Sequence, residues 1–96
     1  MKEEAVLYEF KIIADKKKKP NGMVSRLDIA ESLIELCVKR CLTIKSNNSN
    51  QLSDFQIKEE VYFDCRTMQK VLFHYPNEMI SEYILPNVKA RLSNNF

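Results

Sequence analysis

Near the start of the chain, apolar and polar positions alternate. Val6, Tyr8, Phe10 and Ile12 fall on one face of an extended segment, and Leu7, Glu9, Lys11 and Ile13 on the other. Aromatic and β-branched residues suit a pleated surface, so Ala5–Ile13 predicts a strand with one wetted face. Lys16–Lys19, Pro20, Asn21 and Gly22 end it. Proline presets φ and Asn-Gly tolerates positive φ, which predicts a tight turn at the only glycine in the chain. From Ser25 the period changes. Leu27, Ala30, Leu33 or Ile34, Cys37 and Cys41 recur at three- and four-residue steps, widened by Ile29, Leu36 and Val38. With Ser25 as cap and Asp28 three residues on, this predicts a helix from Ser25 to Leu42. Its apolar stripe is wider than one thin core covers, which predicts a homodimer through that helix.

The stretch Leu52–Leu72 supports two readings. In the first, Ser53 caps a helix from Asp54 to Val61, Tyr62–Asp64 turns, and Cys65–Phe73 forms a second helix. Ile57, Val61, Phe63, Met68 and Val71 then occupy the apolar register in which this stretch resembles the helix-turn-helix of bacterial and phage DNA-binding proteins. The resemblance covers some 20 residues. It departs from the motif at Lys58 and Tyr62, where small residues are usual. It implies a second helix in the major groove, with Arg66, Gln69 and Lys70 toward base edges and phosphates. In the second reading, Glu60–Cys65 is a strand with Val61, Phe63 and Cys65 inward, paired with Ala5–Ile13. That reading needs no small residue at position 58 or 62.

After the polar run Ser46–Asn50, the last element begins at Pro76, a good first helical residue. Met79, Ile80, Tyr83 and Ile84 keep helical spacing, Pro86 interrupts, and Val88 and Leu92 continue the apolar face. The predicted fold is α+β. It is a single domain, 1–96, with an N-terminal strand, a long central helix, an ambiguous middle and a proline-broken C-terminal helix.

Composition narrows the function classes. Net charge is +2, from 15 basic and 13 acidic residues, far below what charge-driven nucleic-acid binding needs. The surplus sits in Lys16–Lys19, so contact with a polyanion would begin there. No apolar run approaches the roughly 18 residues of a membrane span, and the acidic start MKEEAVLYEF does not read as a leader. Three cysteines, an odd number, argue against a disulfide framework and for a reducing, cytoplasmic setting. Lysine outnumbers arginine eleven to four, a residue choice of AT-rich coding sequence found in many phages, plasmids and low-GC bacteria, so a phage or plasmid origin is expected.

Cys37, Cys41, Cys65 and His74 include no C-x-x-C pair, so no metal or other cofactor is expected. His74 has no nucleophile motif beside it, so the chain reads as a non-enzyme. Two functions remain. One is a DNA-binding regulator contacting duplex DNA through Arg66, Gln69, Lys70 and Lys16, Lys17, Lys18 and Lys19. The other is a protein-binding modulator, such as a small inhibitor, antitoxin or adaptor. It would use Tyr62, Phe73, Tyr75 and Tyr83 as anchors, with the lysine run steering toward an acidic protein surface.

Overall fold

The computed structural model describes residues 2–17, 25–48, 52–71 and 76–94, and every regular element among them is helical. This overturns the α+β expectation. The helices are α1 (Lys2–Asp15), α2 (Arg26–Asn48), α3 (Asp54–Val71) and α4 (residues 77–94). The predicted turn Pro20–Gly22 lies outside the described residues.

The predicted strand Ala5–Ile13 is the middle of α1. Its apolar residues satisfy two periods at once, and the helical one prevails because Val6, Phe10 and Ile13 fall on a single buried face. The alternation partners Tyr8 and Ile12 point to solvent instead. A strand here also lacks a ladder partner, whereas a helix pairs its own N–H and C=O groups. Glu3 and Glu4 in the first turn complement the helix dipole.

α2 extends six residues beyond the predicted Leu42. Ser25 does cap it, its Oγ accepting from the Asp28 N–H at 3.1 Å. Lys39 and Arg40 are therefore mid-helix rather than terminal. Ala30, Leu33, Ile34, Leu36, Cys37 and Cys41 are all buried, against α1 on one side and α3 and α4 on the others. Of the wider stripe behind the dimer expectation, Ile29 and Val38 are partly buried and Leu27 is 68% exposed.

α3 runs without interruption through both predicted forms of the middle. No turn occurs at Tyr62–Asp64 and no strand at Glu60–Cys65. Ser53 is the predicted cap, and the capping box is complete: Ser53 N–H donates to Gln56 Oε1 at 2.9 Å and Gln56 N–H to Ser53 Oγ at 3.1 Å. Ile57, Val61, Cys65 and Met68 bury one face, and that burial outweighs the β propensity of Val61–Phe63. A straight helix also suits Lys58, which is exposed, and Tyr62, which is half-buried. Neither has to fit a tight helix-helix corner.

Pro86 is accommodated within α4. Between a first turn, Asn77–Met79, and the segment Leu85–Asn94, residues Ile80–Ile84 form a π-helical turn. The Leu85 N–H bonds to Ile80 O, five residues back. Pro86 has no N–H, and its ring would clash with the carbonyl of residue 82 in a regular helix. Widening the preceding turn removes the clash without breaking the helix. Ile80, Ile84, Leu85, Val88 and Leu92 all remain buried. α2 and α3 form the central pair, with α1 and α4 packed on both but not on each other. The fold is a small four-helix bundle.

Candidate functional site

Two arrangements carry chemistry, one inside the α2–α3 seam and one on the outer face of α3. In the seam, Arg40 of α2 and Glu60 and Asp64 of α3 converge, because the register that buries Cys37, Cys41, Val61 and Met68 also turns them inward. Asp64 has no exposed surface. The Arg40 Nη1 group donates to Asp64 Oδ1, and Nη2 lies 3.3 Å from Glu60 Oε2, a charge contact without hydrogen-bond alignment. Asp64 Oδ2 has no hydrogen-bond partner among the described residues. Lys2 of α1 closes the cluster, 3.5 Å from Glu60 and 4.3 Å from the Phe63 ring centre.

Burial pushes the Asp64 carboxyl up to about 6, against the pull of Arg40 and of the Cys37 thiol. Hydrogen bonding with the Cys65 thiol, burial and the Asp64 charge hold Cys37 well above its ordinary range. Burial pushes Cys41 up to about 11, and the Asp64 charge adds to it. Thiols held protonated by burial are weak nucleophiles. Among the described residues no three His, Cys, Asp or Glu side chains are grouped to hold a metal ion. The seam fixes how α2 sits on α3.

The outer face of α3 is different. Phe55 is 67% exposed. Tyr62 follows two turns on, with the Arg66 guanidinium 5.5 Å above its ring. Shallow depressions of about 370 and 380 Å³ lie along this line and share Glu59, Tyr62 and Arg66. Lys58 borders one of them, and Glu3, Phe63 and Lys70 border the other. The face is built on the side of α3 opposite Ile57, Val61 and Met68, which are buried in the core.

The sequence-derived candidates divide. Arg66 and Lys70 are exposed on this face, with Lys70 4.0 Å from Glu3, but Gln69 is half-buried. Lys16 is exposed, while Lys17 Nζ donates to Glu35 Oε1 at 2.7 Å. Tyr62 belongs to the α3 face. Tyr83 lies elsewhere, half-buried with Leu27 and Met79 beside the start of α2. Lys18, Lys19, Phe73, Tyr75 and His74 lie outside the described residues. Phe55 and the Arg40–Asp64 pair were not anticipated. Asp64 could have been found from its place in the Val61–Cys65–Met68 register, where an acid needs a cation.

No family model matches the chain, and no curated protein or solved structure is significantly similar to it. No helix among the described residues is long and apolar enough to cross a membrane.

Proposed function

We propose that the chain is a non-enzymatic protein-binding modulator that engages an acidic protein surface through the outer face of α3. The observation that carries this reading is the exposed Phe55 ring in line with the Arg66-covered Tyr62. Aromatic rings and arginine dominate the energetics of protein interfaces, because they bury large area for few rotors. Lys58, Arg66 and Lys70 exceed Glu3 and Glu59 along the face by one charge, a small excess that favours an acidic partner.

Contact with duplex DNA draws on some of the same residues. Its specific support is that Arg66 and Lys70 are exposed one turn apart on a single helix. Against it, Glu3 and Glu59 line the same depressions and would repel phosphates.

The test is photocrosslinking in the cells that encode the chain, with a benzophenone side chain in place of Phe55 or, as control, of exposed Ser81 on α4. A discrete adduct to an acidic protein from position 55 alone, lost with Arg66→Glu, is expected. Absence of an adduct, or equal adducts from both positions, contradicts the proposal. Duplex DNA provides the second arm. A shift at low salt with a log–log slope near −0.9 per phosphate, lost with Arg66→Ala, transfers the face to nucleic acid.

A further inference from the structure

Along the outer face of α3, Phe55, Glu59, Tyr62, Arg66 and Lys70 follow one another at steps of four, three, four and four residues. They form one line on the side of the helix away from its buried residues, with a rise of about 22 Å from Phe55 to Lys70. A line of this spacing is the ridge that a second helix packs along lengthwise. We propose that the partner presents an amphipathic helix, antiparallel to α3, with acidic residues in its first turn and apolar residues toward its other end. The inference rests on the reading of this face as the partner surface.

Charge order sets the direction. Arg66 and Lys70, the two cations of the line, stand at the C-terminal end of α3, and Glu59, its one acid, stands nearer the start. Lys58 lies beside Phe55, where Asp54 and Glu59 offset it. The aromatic end therefore carries no positive excess, and a partner's carboxylates are drawn to the Arg66–Lys70 end. A carboxylate already stands there. Glu3, from the first turn of α1, lies 4.0 Å from Lys70 and lines the same depression as Arg66. Both groups of that contact are exposed, so it is weak and yields to a better-placed acid. Arg66 lies over the Tyr62 ring, a contact that leaves the in-plane N–H groups of a guanidinium for a carboxylate.

Acidic residues stabilise the first turn of a helix and destabilise its last. A partner helix with its acids at Arg66 and Lys70 therefore has its N-terminus there, and the two helix dipoles run in opposite directions. Its apolar residues then meet Tyr62 and Phe55, and between these two Glu59 favours a basic residue.

A displayed library of peptides about 16 residues long, selected on the full chain and counter-selected on Arg66→Glu, tests this. Enriched sequences should carry Asp or Glu at their N-terminal end and apolar residues later, at three- and four-residue steps. By fluorescence anisotropy of an enriched, labelled peptide, Phe55→Ala and Arg66→Glu should each raise Kd by about tenfold or more. Glu3→Gln should lower Kd by about twofold to fivefold, because it removes the competing carboxylate. The helical circular-dichroism signal should not change in any of these variants, because each residue is exposed. Moving the acidic residues to the C-terminal end of the peptide should abolish binding. Peptides that need Phe55 and Arg66 but carry their acids at the C-terminal end, or bind Glu3→Gln no more tightly, overturn the inference and leave the face in place. A selection that yields no peptide sensitive to Phe55→Ala or Arg66→Glu removes the face as well.

Discussion

Asp64 and Glu60 stand one helical turn apart, and Arg40 is the only cation α2 brings to them in the seam. Lys2 of α1 also stands 3.5 Å from Glu60, but Asp64 has no exposed surface and bears the greater cost of ionising. The sign of the resulting pH dependence follows from its raised pKa. The folded chain takes up a proton at Asp64 as pH falls through about 6, whereas the unfolded chain does so near the ordinary carboxyl value of 3.8. Ionised Asp64 therefore lowers stability above pH 6, and the cost is relieved between about pH 6 and 4. A shift of this size corresponds to about 2–3 kcal/mol. Urea melts of the wild type and Asp64→Asn should show the wild type gaining on the variant by about that amount as pH is lowered across this window. A difference that stays flat with pH would mean that Asp64 is ionised throughout.

At the level of the element, α2 was legible because its three- and four-residue period has no competing reading. The Ser53 cap was legible for a similar reason: Ser53 and Gln56 stand at capping-box spacing and find each other locally. α1 was misread because Val6, Tyr8, Phe10 and Ile12 fit a strand while Val6, Phe10 and Ile13 fit a helix. Only the packing surface of α2 and α3 decides between them. The middle was misread for a related reason. Val61-Tyr62-Phe63 has strand propensity, but propensity counts for tenths of a kcal/mol per residue against burial worth about 1.5–3 kcal/mol per large side chain. Of the candidate site, Tyr62, Arg66 and Lys70 were legible as outward positions. Phe55 was not, because nothing in its neighbourhood distinguishes an exposed ring from a core one. The cap offers a direct check on α3. Ser53→Ala should cost about 1 kcal/mol and raise amide exchange in the first turn of α3, leaving α1 and α2 unaffected. Uniform loss of protection across the bundle would show that the cap governs global rather than local unfolding.

On the scale of the whole molecule, the bundle separates residues that hold it together from residues available to a partner. Both central helices touch every other helix, so a void in either is felt throughout. Leu33 of α2 has no exposed surface and belongs to the single continuous core. Leu33→Ala should cost about 2–5 kcal/mol, a large part of the 5–15 kcal/mol typical of a domain. Phe55 is as large but sits two-thirds in solvent on α3. Phe55→Ala should change stability by no more than about 0.5 kcal/mol, because it leaves no cavity and no unpaired polar group. Thermal and urea melts of the two variants beside the wild type check both values. If Phe55→Ala proves as costly as Leu33→Ala, its ring is packed in solution and the α3 face loses its anchor. If Phe55→Ala is neutral to folding yet abolishes the position-specific adducts of a crosslinker placed instead at Lys58, the ring is held out for a partner.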